Sequence, residues 1–248
     1  MTLVQTEPKS MKIWTTDIKR ITIRPDGTEK QIRPVWWQPW ANTIAYYPLT
    51  ADTNDHSWNN RNLTNSWVTF VNNIWWATVP VWYYNWSSNT SRSWDVQLSA
   101  WYTISWWSKV NSSSNVWIML DLRNEVQQGQ GVNLWRCYQN NISFFQQKSS
   151  SSEESYTESL TSNWTYWCIT RTGSVWSIYK NWNTTPVKQA TLSNQINTSN
   201  SKLWVWCRHQ TLTDNLNWYI SEMIIENKVR TAQEISDYYN QTKWNYWL

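Results

Sequence analysis

Glycine is scarce in this chain: four residues in 248, where average usage of about 7% would give roughly 17. Tight β-turns need residues that accept φ > 0, so the shortage raises the question of what occupies the turns. Histidine is almost absent. His56 lies in a polar turn and His209 in an Arg-His-Gln stretch; neither comes with a serine or cysteine elbow motif, which argues against a catalytic triad. The three cysteines, Cys137, Cys168 and Cys207, are widely spaced. They form no Cys-x-x-Cys or Cys/His set, which argues against zinc. Cys168 and Cys207 sit in apolar runs and read as small buried hydrophobes, and one disulfide pair stays open. No Gly-rich phosphate loop appears. Met1 to Asp17 has no apolar core and no cleavage pattern, so no signal peptide is read. Nothing approaches the roughly 18 uninterrupted apolar residues of a membrane span.

Tryptophan, in contrast, is abundant, at 25 residues. Many stand where a turn calls for glycine. Asn85-Trp86-Ser87-Ser88 and Lys180-Asn181-Trp182-Asn183 read as Asn-Gly hairpin turns, and Ser57-Trp58-Asn59-Asn60 as a polar turn with an indole dropped into it. A bulky residue at φ > 0 is an outlier. The deficit and the excess therefore read as one event, in which UGA codons meaning glycine were translated as tryptophan. A genuinely aromatic sugar-binding surface is the alternative. It fits the positions less well, because these tryptophans cluster beside Asn and Ser and follow no face periodicity. On this reading the indoles at Trp58, Trp86 and Trp182 should project into solvent and pack poorly.

The remainder of the chain is rich in Asn, Ser and Thr, with only 15% charged residues and a net charge of +4. Much of the basicity lies early, at Lys9, Lys12, Lys19, Arg20, Arg24, Lys30 and Arg33. No nucleic-acid motif accompanies it, so a solvated surface is preferred over nucleic-acid binding.

Residues 1–35 read as a separate appendage. Arg20-Ile21-Thr22-Ile23-Arg24 alternates polar and apolar, Pro25-Asp26-Gly27-Thr28 signals a tight turn, and Gln31-Ile32-Arg33 returns. A lone hairpin is marginally stable, so this unit should pack on the main domain or on another subunit. Residues 36–41 form a linker. From residue 42 to 248, short β-forming runs recur at Thr43–Tyr47, Val68–Val71, Ala77–Tyr84, Val96–Ser99, Tyr102–Ser105, Val116–Leu122, Ile142–Phe145, Tyr166–Thr170, Trp176–Lys180, Leu203–Cys207 and Trp218–Glu226. Such spacing predicts an antiparallel β-sandwich or jelly roll. The Ser/Glu-rich stretch 146–162 reads as a loop or a solvated edge. Thr231-Ala232-Gln233-Glu234 is a capping box, and Ile235, Tyr238 and Tyr239 give the short helix behind it an apolar stripe that should lie on the sandwich.

An ordered set of motifs resembles the laminin G-like, concanavalin A-like lectin/glucanase family over roughly residues 42–240. Ile44-Ala45-Tyr46-Tyr47-Pro48-Leu49 with Asp52, Asn54, Asp55 and Ser57-Trp58-Asn59 is similar to that family's first strand and turn. Tyr84-Asn85-Trp86-Ser87-Ser88, Tyr102-Thr103-Ile104-Ser105-Trp106-Trp107 and Asn163-Trp164-Thr165-Tyr166-Trp167-Cys168-Ile169-Thr170 follow in the family's order. Ile178-Tyr179-Lys180-Asn181-Trp182, Leu203-Trp204-Val205-Trp206, the Asn217–Glu226 strand and the closing helix complete it. The resemblance implies genuine tryptophans at Trp107 and Trp164, and glycine at Trp58, Trp86, Trp106 and Trp182. The resemblance implies an all-β jelly-roll sandwich with a short C-terminal helix and an N-terminal hairpin appendage. The leading segment more loosely resembles phage structural proteins.

Glucanases of the family cleave with a Glu-x-Asp-x-Glu strand. The nearest match is Glu222-Met223-Ile224-Ile225-Glu226, with isoleucine at the central acid. Retaining hydrolysis needs two carboxyls about 5–5.5 Å apart with contrasting pKa values, so no catalytic residue is assigned and the protein is read as a non-enzyme. The resemblance also brings calcium to mind at Asp52, Asp55, Asp95 and Asp121. These aspartates read better as turn-formers, so no cofactor is assigned, and metal and ligand residues stay unassigned. Tyr83, Tyr84, Tyr102 and Tyr138 are the aromatics offered for stacking on a sugar, with core packing the expected fate of at least half. The expected role is a recognition module for a glycan or protein ligand, on a virion or cell surface, with a homo-oligomer or virion assembly as its setting. The alternatives are a glycoside hydrolase and a structural virion protein without ligand.

Overall fold

In this computed structural model the described residues are 21–23, 30–32, 42–49, 52–66, 69–71, 81–84, 90–93, 96, 98–112, 117–124, 131–138, 141–149, 152–159, 161–192, 201–206 and 217–246; in several strands only the backbone is described. The chain divides into two compact units, Met1–Gln38 and Pro39–Leu248. In the first, β1 (Ile21–Ile23) and β2 (Lys30–Ile32) pair antiparallel, Ile21 opposite Ile32.

The second unit is an all-β antiparallel sandwich. Its strands are β3 (Thr43–Tyr47), β4 (Thr64–Ser66), β5 (Thr69–Val71), β6 (Val81–Tyr84), β7 (Thr90–Ser93), β8 (Trp101–Ser112), β9 (Trp117–Asn124), β10 (Gly131–Tyr138), β11 (Asn141–Ser149), β12 (Ser152–Ser159), β13 (Thr165–Thr172), β14 (Val175–Lys180), β15 (Lys188–Thr191), β16 (Ser201–Trp206) and β17 (Asn217–Glu226). One helix, α1 (Ala232–Thr242), follows and runs into a 3₁₀ turn at Lys243–Tyr246. A seven-stranded sheet runs β12-β11-β10-β9-β16-β7-β4, and an eight-stranded sheet runs β15-β14-β13-β8-β17-β6-β5, with β3 also paired to β17.

Between the sheets lies one apolar cluster. Tyr102, Ile104, Trp106, Trp167, Ile169, Trp176, Ile178, Met223 and Ile225 come from the larger sheet, and Ile142, Phe144, Leu203 and Val205 from the smaller. Alternation alone would send the other half of β8 and β13 to solvent. It does not, because α1 covers that face. Trp107 stacks on Tyr246 at 4.3 Å and on Tyr239 at 5.4 Å, and Tyr166 lies 5.5 Å from Tyr238. β13 is consequently buried along seven of its eight residues, with only Thr172 exposed.

The capping box forms as expected. Thr231 Oγ1 accepts the Glu234 amide at 3.2 Å, and Glu234 Oε2 accepts the Thr231 amide at 2.8 Å. The stripe of Ile235, Tyr238 and Tyr239 is buried on the sheet. One expectation needs correction. Val96, Leu98 and Ser99 form no strand; Val96 and Leu98 instead enter the core from an irregular segment. Of the two readings of the stretch 146–162, loop or solvated edge, the edge holds: β11 and β12 pair, Gln147 opposite Glu153, with β12 as the edge strand. Pairing decided this against composition, since β-propensity is weaker than ladder context. Half-buried Tyr156 packs against the core.

Candidate functional site

The two carboxylates that could act on a sugar, Glu222 and Glu226, lie on the acidic strand β17. β17 carries a bulge between Ser221 and Ile224 in its pairing with β8. Glu222 sits in that bulge at φ 51°, a left-handed conformation that costs a non-glycine residue of order 1–3 kcal/mol. Its amide donates to the Pro48 carbonyl at 3.1 Å, and Ser221 Oγ donates to the same carbonyl at 3.3 Å. Leu49, the next residue after Pro48, is left-handed as well, at φ 57°. The bulge and the corner after β3 thus hold each other.

The Glu222 carboxylate is buried under the helical segment. Oε2 accepts the Tyr238 hydroxyl and Oε1 the Asn245 amide, each at 3.1 Å. Glu226 is fully buried and pairs with Arg230 Nε at 2.5 Å. Arg230 in turn donates its amide to Thr103 Oγ1 at 2.9 Å, reaches the Tyr166 hydroxyl at 3.4 Å and lies 4.9 Å over the Tyr238 ring. Burial pushes the Glu226 carboxyl above its ordinary value, and the Arg230 guanidinium only partly offsets this. Both carboxylates therefore serve to dock α1 on the sheet, and neither faces a space a sugar could enter. Sequence reading missed Arg230, Tyr238 and Asn245 as their partners. The i, i+4 spacing of Glu226 and Arg230 was the available signal.

The turn after β3 is built around Asp55. Oδ1 accepts the amides of Tyr46 at 2.9 Å and Ser57 at 2.8 Å; Oδ2 accepts the Ser57 hydroxyl at 2.7 Å and the Arg61 amide at 2.9 Å. Four donors occupy the carboxylate, so Asp55 is a turn-former. Asn62 Oδ1 accepts the Asp55 amide at 2.9 Å, and the Asn59 amide group and Arg61 guanidinium reach the Ile44 carbonyl at 3.0 and 2.7 Å. On the outer side, Asp52 Oδ1 accepts the Asn54 amide at 3.0 Å and lies 3.2 Å from His56 Nε2. Burial pushes the Asp52 carboxyl up, but the bonds from Asn54 and His56 outweigh it and hold it below its usual value. Among the described residues no three His, Cys, Asp or Glu side chains converge as metal ligands.

Of the aromatics offered for stacking, Tyr102 is fully buried in the core, which removes it from any surface. Tyr83 and Tyr84 lie in β6 and Tyr138 at the end of β10; only their backbones are described, as for Asp121 in β9 and Cys137 in β10. Asp95, His209 and Cys207 lie outside the described residues. Cys168 is free and buried, and burial pushes its thiol up to about 12.

The tryptophans separate into groups. Trp58 and Trp182 are 77% and 58% exposed, as expected, and Trp101 and Trp244 are exposed too; Trp86 lies outside the described residues. The expected backbone is only partly present. In the 180–183 turn, closed by Asn183 N donating to Lys180 O at 3.3 Å, Asn181 is left-handed at φ 54° and Trp182 is not; in the 57–60 turn Asn60 is left-handed at φ 52° and Trp58 is not. Nor is Trp182 without contact, its ring lying 5.7 Å from that of Tyr239. With a Cβ at Trp182, the turn does not take the paired φ > 0 geometry of an Asn-Gly hairpin. Inside, Trp107 Nε1 donates to Thr242 Oγ1 at 3.1 Å, whereas the buried Nε1 atoms of Trp164, Trp167 and Trp176 have no hydrogen-bond partner among the described residues.

No family model matches the sequence, and no curated protein matches it. Solved structures do. The binding domain of Paraclostridial Mosquitocidal Protein 1 superposes with a TM-score of 0.64 at 16% identity, over 80% of this chain and 52% of that one. The binding domain of botulinum neurotoxin serotype D gives 0.63 at 13% identity, over 80% and 51%. A botulinum neurotoxin type C structure, described as depending for cell entry on two ganglioside molecules, gives 0.60 at 15% identity, over 80% and 51%. This chain spans about half the length of the structures it matches. The shared feature is the architecture, an antiparallel β-sandwich of the kind found in these toxin binding domains.

Proposed function

We propose that this chain is a non-enzymatic recognition module, a laminin G-like jelly roll that binds a glycan or protein ligand from the surface of a virion or cell. The domain limits follow the sequence: an appendage at 1–35, a linker at 36–41 and the binding domain at 42–248. The observation that carries the reading is the burial of Glu222 and Glu226 beneath α1, which leaves the glucanase-like strand without access to substrate. The structural neighbours support it: they include binding domains of botulinum neurotoxins, among them a type C toxin whose cell entry depends on interaction with two ganglioside molecules and a domain in complex with rat synaptotagmin II. A glycan array probed with the full chain, including ganglioside headgroups, tests it. Retention of a glycan without turnover is the expected result. Release of reducing sugar that Glu222→Gln abolishes would overturn it in favour of a hydrolase.

The same reading includes the recoding of glycine. Exposed Trp58 and Trp182 in polar turns support it, as do left-handed Asn60 and Asn181 in the same turns. Trp107, with its indole bonded and stacked, fits a genuine tryptophan. Peptide mass spectrometry of the protein from its own host reads each position directly. Tryptophan masses at 58 and 182 would end the idea.

A further inference from the structure

The exposed tryptophans Trp58, Trp101, Trp182 and Trp244 are not alike. Among the described residues Trp58 and Trp101 meet no other ring and no cation, and a single exposed apolar side chain is ordinary. Trp182 and Trp244 belong to one patch drawn from two segments. Trp182 stands in the turn after β14 and Trp244 in the 3₁₀ turn after α1. Tyr239 and Lys243 connect them, one helical turn apart on the same face. The Trp182 ring lies 5.7 Å from that of Tyr239. Lys243 Nζ lies 5.7 Å from the centre of the Tyr239 ring and 5.0 Å from that of Trp244.

Charge and polarity say what this patch takes. A ring face attracts an ammonium but does not neutralise it. Among the described residues no carboxylate pairs with Lys243. The acids of the helix beside it are engaged elsewhere, Glu234 with Lys228 and Asp237 with Gln233. An anion is therefore the complement the fold does not supply. The turn that carries Trp182 also exposes Asn183, Thr184 and Thr185, which offer hydrogen bonds beside an aromatic face. A sugar ring presents both a C–H face to stack on and hydroxyls to bond, as a hydrocarbon surface does not.

The patch persists under either reading of position 182. An indole there lies against Tyr239, which is buried. Glycine there removes that cover and leaves the tyrosine ring as the platform beside the same ammonium.

We propose that Tyr239, Lys243 and Trp244, with Trp182 in the chain as written, bind a carboxylate-bearing sugar. The sugar stacks on the rings and sets its carboxylate on the Lys243 ammonium. This inference rests on the recognition reading and adds to it the place and the class of the glycan.

The test is calorimetry of the full chain with 3′-sialyllactose and with lactose, its neutral counterpart. The wild type is expected to bind the sialylated sugar at least about tenfold more tightly, as a charge-assisted contact implies. Lys243→Ala should abolish that preference and Lys243→Arg should keep it. Trp244→Ala should weaken both sugars. Trp182→Gly should retain the preference, and Trp101→Ala should bind as the wild type does. Unfolding midpoints should stay close to the wild-type value, because these are surface positions. A wild type that binds neither sugar, or both equally, overturns the proposal. So does a Lys243→Ala or Trp244→Ala variant that binds like the wild type, or tighter retention on phosphatidylserine vesicles or poly-glutamate than on the sialylated sugar. A glycan found on the array that Lys243→Ala and Trp244→Ala both bind undiminished would sink this site and leave the recognition reading standing; retention of no glycan and no protein would sink both.

Discussion

Replacing Arg230 by methionine isolates the interaction that seats the helix. Arg230 and Glu226 both have 0% exposed side chains and meet at 2.5 Å. Methionine keeps much of the volume over the Tyr238 ring and removes the cation, which leaves the Glu226 carboxylate buried without its counter-charge. Breaking a buried pair from one side costs about 3–5 kcal/mol. In a chain of this size that lowers Tm by roughly 6–20 °C. The cost must depend on pH with a fixed sign. Glu226 already titrates above its ordinary value because of burial, with Arg230 pulling the other way, so removing Arg230 raises it further. A carboxyl raised in the folded state contributes no penalty below its unfolded pKa and an increasing one as pH rises above it. The variant should therefore be most destabilised at neutral pH and approach the wild type as the pH falls to the ordinary glutamate value. Pairing the change with Glu226→Leu removes both charges and should recover most of the loss. Urea unfolding of wild type, single and double variants between pH 4 and 8 measures this. A single variant no less stable than the double one, or a cost that grows on acidification, would refute the reasoning.

Other outcomes follow from the same geometry. Asp55→Ala removes the acceptor of the Tyr46, Ser57 and Arg61 amides and should cost at least about 3 kcal/mol in thermal or urea unfolding, given about 1–3 kcal/mol for each of the three donors left without it. Trp182→Gly should change stability by no more than about 0.5 kcal/mol, as for exposed positions generally. Trp107→Gly, which empties a buried site stacked on two tyrosines, should cost roughly 3–5 kcal/mol or more. Cys168, fully buried and with its thiol pushed up to about 12, should resist an alkylating reagent at pH 8 in the native protein and react once urea unfolds it; native-state labelling at the rate of an exposed thiol would contradict the placement.

Local chemistry was legible where a few neighbouring residues suffice. The capping box at Thr231 and Glu234 needs only its own turn, and the Asp55 turn draws its donors from residues 46 to 61. Left-handed Asn60 and Asn181 beside exposed indoles were likewise foreseeable as turns, though the φ > 0 expected at Trp182 is absent. The acidic strand was visible as a motif and misleading as a site. Glu222 and Glu226 read equally well as open or covered until α1 is placed, since an alternating strand does not record what lies above it.

Sequence alone determined the β-sandwich class, the closing helix and the turn-forming role of Asp55, because hydrophobic alternation and short-range hydrogen bonds are properties of adjacent residues. Tertiary structure decided the rest. It chose the edge over the loop for the Ser/Glu-rich segment Ser152–Ser159, because β11 offers a ladder there. It buried both faces of β13, because a helix 60 residues later lies across one of them. It turned two glutamates from candidate chemistry into the clamp for that helix, since the partners of a buried charge come from wherever the fold brings a donor within reach.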